Sequence, residues 1–137
     1  MNDSCGVKCM KGMKPLFSSI TDNWKTPEMF YKALDAEFRF DFDPCPLKPT
    51  FDGLKISWGG CNWINPPYSQ IAQWMKKGWE ENQKGKTNVW LIPSRTDTRW
   101  WHEYCMKAKE IRFIKGRLKF GDATNSAPFP SCIVIFL

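Results

Sequence analysis

At 137 residues the chain has room for one domain with its own core, and 42% hydrophobic with 25% charged residues excludes a disordered polymer. Its net charge of +6, from 20 Lys plus Arg against 14 Asp plus Glu, suits a polyanionic partner. No apolar run approaches the roughly 20 residues of a membrane span. The first residues, Met1 to Lys8, lack an apolar signal core, so a cytoplasmic protein with reduced cysteines is expected.

Residues 1–22 hold Gly, Ser, Lys and Met without a sustained period and read as a loose arm, leaving 23–137 as a single domain. Cys5 and Cys9 have ligand-like spacing. No second close pair follows and His102 is the only histidine, so no metal centre is expected. Thr26-Pro27-Glu28 predicts a helix start capped by Thr26, and Phe30, Leu34 and Phe38 recur on one face of about three turns. Arg39 to Asp43 alternates polar and apolar, which predicts a strand with Phe40 and Phe42 on one face, ended by Pro44 and Pro46.

Residues 47–60 read as loop, and Cys61 to Ile64 as a buried strand. Ser69 is the expected cap of the next helix, with Ile71, Met75 and Trp79 along one face and Gly85 just beyond its end. Asn88 to Ile92 is a buried strand ending at Pro93. Asp97 or Thr96 is the expected cap of a third helix, with Trp100, Trp101, Tyr104, Cys105 and Ala108 inward. Residues 111–114 and 117–120 flank Lys115-Gly116 as a bent strand or hairpin, and Ser131 to Leu137 closes the chain as an apolar strand. Cys61, Cys105 and Cys132 sit in these apolar patterns as small core residues.

Strands alternating with helices predict an α/β sheet covered by helices, with antiparallel pairing at its C-terminal edge. Ligands of such sheets bind outside the carboxyl ends of the strands. Asp43-Pro44, Asn65-Pro66-Pro67-Tyr68 and Pro93-Ser94-Arg95 all fall at those ends and point to one shared cleft.

The tetrapeptide Asn65 to Tyr68 carries the most chemistry. Two consecutive prolines remove two backbone donors and force an extended, rigid exit from the strand. Asn65 then offers an amide, the loop offers backbone carbonyls, and Tyr68 offers a ring. Those groups suit a planar base bearing an exocyclic amine. Pro-Pro is also ordinary turn punctuation; the position between a strand end and a helix start favours the site.

This loop resembles the catalytic loop of amino-methyltransferases that use S-adenosylmethionine. With Trp24-Lys25-Thr26-Pro27, the Phe-rich strand ending at Asp43, Trp58, Leu91-Ile92-Pro93, Thr96-Asp97-Thr98 with Trp100, and Ile114 to Phe120, the chain resembles the compact phage-type, Dam-like DNA N6-adenine methyltransferases. The resemblance implies an abbreviated Rossmann-like methyltransferase sheet and methyl transfer from S-adenosylmethionine to the N6 amine of adenine in double-stranded DNA. It implies catalytic roles for Asn65, Pro66, Pro67 and Tyr68, with the adenine flipped out and stacked on Tyr68. Trp24, Thr26, Pro27, Asp43 and Asp52 are the expected cofactor contacts, and Arg95 and Arg117 the expected contacts to DNA phosphate. Turn chemistry explains Asp43 and Asp52 as well, a plain helix start explains Thr26-Pro27, and surface charge explains both arginines.

One feature departs from larger methyltransferases of this kind: no Gly-x-Gly follows Asp43, and Asn65 comes only 22 positions later. The sheet is therefore expected to be abbreviated, or the pocket completed by the N-terminal arm or by a second subunit of a homodimer. The competing functions are methylation of another amine (cytosine N4, RNA guanine or protein glutamine) and a non-catalytic DNA-binding decoy that keeps the fold. Protection of phage DNA from restriction is the biological role that the resemblance suggests.

Overall fold

The computed structural model describes residues 26–119 and 126–137. Four strands, β1 (Cys61–Ile64), β2 (Thr87–Pro93), β3 (Glu110–Phe113) and β4 (Ser131–Phe136), form one mixed sheet in the order β1-β2-β4-β3. β1 and β2 are parallel, and β4 runs antiparallel to both its neighbours. The helices are α1 (Glu28–Phe38), α2 (Ile71–Gln83) and α3 (Arg99–Glu103).

The two central strands show why they are central. Every residue of β4 is buried, as is every residue of β2 after Thr87, so neither could lie at an edge or expose a face. On one side Trp63, Val89, Leu91, Ile133 and Ile135 pack against Phe30 and Leu34 of α1. On the other, Ile64, Trp90, Ile92, Cys132 and Val134 meet Ile71, Trp74 and Met75 of α2 and Trp101 of α3. Burial of each such side chain stabilises by about 1.5–3 kcal/mol. A Cβ on Gly78 would lie 2.2 Å from Trp90 Cζ2, so α2 approaches β2 where it has no side chain.

Polar side chains lock the same region. Asn62 Nδ2 donates to Asn88 Oδ1 at 2.9 Å, and Asn88 Nδ2 donates to the Gly78 carbonyl at 2.9 Å, tying β1, β2 and α2 together. Glu81, with a fully buried carboxylate, accepts from Lys77 at 3.2 Å, from Lys84 at 2.9 Å, from Lys86 and from the Trp58 N–H at 2.8 Å. At the far edge, Arg112 of β3 makes a bidentate pair with Glu37 of α1, at 2.7 and 2.6 Å.

The antiparallel pairing expected at the C-terminal edge is present, with β3 as the edge and β4 inside, because a strand apolar on both faces needs cover on both. Other local expectations are corrected. Arg39–Asp43 makes a single parallel bridge, Phe42 to Asn62, and no strand. The left-handed Arg39 (φ 58) and the bond from the Phe40 N–H to Asp35 Oδ1 hold its start against α1. Phe40 and Phe42 consequently join opposite cores. The cap position of α1 is Pro27, not Thr26, and that of α2 is Gln70, since Ser69 falls inside a 3-10 turn, Tyr68–Gln70. Thr98, not Thr96 or Asp97, caps α3, accepting from the Trp101 N–H at 3.3 Å. α3 is short, and Cys105 and Ala108 follow it in and after a separate 3-10 turn. Residues 117–119 do not pair back on β3: Gly116 turns the chain (φ 77), Leu118 enters the core, and its carbonyl accepts from Ala127 at 2.7 Å.

Candidate active site

β1, β2 and β3 all point the same way, because β2 and β3 are each antiparallel to β4. The segment bridging at Phe42 is parallel to β1 as well. Asn65 and Ser94-Arg95 therefore leave the sheet at one rim, where β4 begins, with Asp43 following the bridge at Phe42 and Arg117 the turn after β3. The strand exits share this rim; the cleft nearest them is lined by Pro44 and Pro67 but not by Asn65, Ser94 or Arg95.

Asn65 follows β1 directly. Its Nδ2 donates to Thr26 Oγ1 at 3.0 Å, so the amide is turned with its oxygen on the Tyr68 side, where the Tyr68 hydroxyl lies 3.4 Å from Oδ1. Thr26 is thus used to orient the loop and not to cap α1. Pro66 is buried, and the carbonyl of Pro67 is taken within the loop by the Gln70 N–H at 3.0 Å. The Tyr68 ring packs edge-on against Phe129, 5.4 Å between centroids, and touches both hydrophobic cores. Burial, with Cys132 nearby, raises the Tyr68 hydroxyl well above the usual phenol range, so it stays protonated.

Asp43, just after the Phe42 bridge, is partly buried. Burial pushes its carboxyl up to about 6, against the Cys45 N–H that donates to Oδ1 at 2.9 Å. Asp52 accepts from the Leu54 N–H at 3.0 Å and remains half exposed. Both aspartates make the turn bonds that their sequence context foretells, and Asp52 also lines a cleft of about 290 Å³ with Pro44, Phe51, Gly53, Pro67 and Trp74. A Cβ on Gly53 would lie 2.0 Å from the Pro44 carbonyl oxygen, so glycine alone lets this wall close.

The cleft is largely apolar and partly aromatic, with the Asp52 carboxylate in its lining, a surface that suits a flat ligand bearing polar groups. Trp24, Cys5 and Cys9 lie outside the described residues. Arg95 and Arg117 are exposed at the rim, and the structure gives neither a side-chain partner among the described residues.

Residues 15–136 match the family described as DNA N-6-adenine-methyltransferase (Dam). The chain belongs to this family. A curated relative from Escherichia phage T1, named DNA N-6-adenine-methyltransferase, is 26% identical over 113 residues, which cover 73% of this chain and 48% of the relative. The chain thus spans about half the length of that relative. No solved structure gives a significant match.

Two aromatic residues packed around these segments were not singled out from the sequence. Phe129 supports the Tyr68 ring from a segment with no motif. Tyr31 packs edge-on to Trp63 at 5.4 Å, and its hydroxyl is raised by burial and then by the nearby Asp35 and Asp43. Its position, four residues after Pro27 on α1, was the available signal.

Proposed function

We propose that this chain transfers a methyl group from S-adenosylmethionine to the N6 amine of adenine in double-stranded DNA. The observation that carries the reading is the Asn65 amide, held by Thr26 and turned toward Tyr68 at the end of β1. The sheet is an abbreviated Rossmann-like methyltransferase sheet, and residues 23–137 form the catalytic domain, with 1–22 as an arm.

Adenine inside a duplex is out of reach, so the base is flipped into the cleft and stacked on Tyr68. The Asn65 Oδ1 and the Pro66 carbonyl accept the two amine hydrogens. Those bonds fix the direction of the nitrogen lone pair and stabilise positive charge as it develops on nitrogen. The rigid Pro66-Pro67 backbone keeps both acceptors in place without reorganisation. Asp43, Asp52, Pro27 and Trp24 would hold the cofactor, which supplies the methyl group as an activated electrophile, and Thr26 acts through the Asn65 amide. Arg95 and Arg117 meet DNA phosphate, and a second subunit or the arm completes the pocket.

Asp43 gives the site a pH dependence. A carboxyl near 6 is largely neutral at pH 5 and largely ionised at pH 7. The amino, ribose and cationic groups of the cofactor favour the ionised form. Cofactor affinity is therefore expected to rise about tenfold from pH 5 to 7. Calorimetric titration at both pH values checks this, and Asp43→Asn should flatten the profile. In the protein alone the sign is opposite for stability: a raised carboxyl stabilises the fold most below its ordinary value of 3.8, and that contribution is lost as pH rises through about 6.

The direct test is transfer of radiolabelled methyl groups to unmethylated DNA, followed by nucleoside analysis. Label in N6-methyladenine supports the proposal. Label in cytosine, RNA or protein moves the reaction to another amine, and a folded protein that binds DNA without cofactor or label is the decoy.

A further inference from the structure

A groove of about 360 Å³ separates α2 from α3, lined by Gln73, Lys76, Arg99, Trp100, Glu103 and Tyr104 among others. It combines two cations with two aromatic rings, the pairing that holds a nucleic-acid strand by its phosphates and its base faces. We propose that this groove binds the DNA strand flanking the target adenine, with phosphate at Lys76 and Arg99 and a base against Trp100. The inference rests on the DNA substrate proposed above and adds the surface that positions it.

The charges on α2 and at its C-cap are sorted in a way that supports this. Lys77 and Lys84 are both paired with the buried Glu81, whereas the exposed Lys76 makes no salt bridge among the described residues. Arg99 gives its Nε to Glu103, yet its side chain is 92% exposed, so the guanidinium edge is open to a phosphate. Glu103 opposes an anion, and the groove keeps one net positive charge from these three. Trp100 is half-buried, tilted on Trp101 at 6.1 Å, which holds its ring while part of it faces the groove.

The groove is lined by the first turns of α2, the helix that follows the Asn65 loop through the 3-10 turn Tyr68–Gln70, so chain continuity links the strand it holds to Asn65 and Tyr68.

The experiment measures binding of a fluorescein-labelled duplex of mixed sequence to the full chain by anisotropy, between 50 and 200 mM salt (roughly the range over which phosphate contacts weaken most visibly). Lys76→Ala is expected to weaken binding on every sequence and to lower the slope of log K against log salt by about 0.9. Trp100→Ala is expected to cost about tenfold and Trp100→Phe much less, while Glu103→Gln tightens binding. Cofactor affinity should stay unchanged in all four. Unchanged DNA affinity and salt slope in Lys76→Ala and Glu103→Gln overturn the groove, even if Trp100→Ala fails to fold. If methyl label still enters DNA in that case, the proposed function stands alone; if the native chain binds no DNA, both fall.

Discussion

Asn65→Ala is expected to lower methyl transfer by at least about a hundredfold while leaving cofactor affinity within a few-fold of the native chain. The magnitude follows from removing one preorganised acceptor aimed at developing charge, which typically costs 10²–10³ in rate. Selectivity follows from position: Asn65 contacts Thr26 and Tyr68, whereas the 290 Å³ cleft is walled by Pro44, Phe51, Asp52, Gly53 and Trp74. Single-turnover transfer and calorimetric cofactor titration separate the two effects. Equal loss of both would make the loop structural and sink the assignment.

Thr26 refines the same test. It touches no reacting atom and acts through the Asn65 amide, so it is a positioning residue. Thr26→Val keeps the shape and removes the acceptor for Nδ2, which frees the amide to rotate. A fall in kcat with KM little changed, and recovery in Thr26→Ser, would mark positioning; a parallel loss of thermal stability alone would mark packing.

The second large effect is on stability. Glu81→Ala should destabilise the fold by about 3 kcal/mol, because it leaves the Lys86 ammonium, only 20% exposed, with the Trp58 carbonyl but no counter-charge, and the buried Trp58 N–H without its acceptor. Lys84, more than half exposed, adds little through screening. At this chain length the change corresponds to a drop of about 10 °C in melting temperature, measurable by calorimetry. The pH dependence has a fixed sign. Burial pushes the Glu81 carboxyl up, but the bonds from Lys86, Trp58, Lys84 and Lys77 outweigh it and hold the group well below its ordinary 4.5. Its contribution is therefore complete above pH 4.5 and lost as pH falls below that, a loss that Glu81→Ala should no longer show.

The Glu81 cluster also illustrates what local pattern cannot carry. Its position on α2 falls beside the apolar stripe Ile71, Met75 and Trp79, and nothing in the sequence distinguishes it from the solvent-facing Glu80. Burial depends on Lys86 and the Trp58 backbone arriving from either side, contacts of 5 and 23 residues' separation. Local pattern did suffice for β1, β2, β4 and α2. Unbroken apolar runs ended by proline or glycine specify buried strands, and a 3.6-residue stripe specifies a helix whatever it packs on.

For the site, the amino-acid sequence alone determined the chemistry available at Asn65 to Tyr68: two prolines fix the backbone by covalent geometry before any tertiary contact forms. It also determined that Asn65 and Ser94-Arg95 leave the sheet where strands end. Which strand lies beside which was decided only in three dimensions. β4 enters the middle of the sheet because both its faces are apolar and can be covered only there. Thr26 leaves the cap of its own helix for an amide 39 residues away, and Phe129 comes to the Tyr68 ring from the last connection. These are partnerships between segments whose local sequences carry no trace of each other. Closure of the sheet by burial brings them together, and that is a property of the whole chain and not of any window within it.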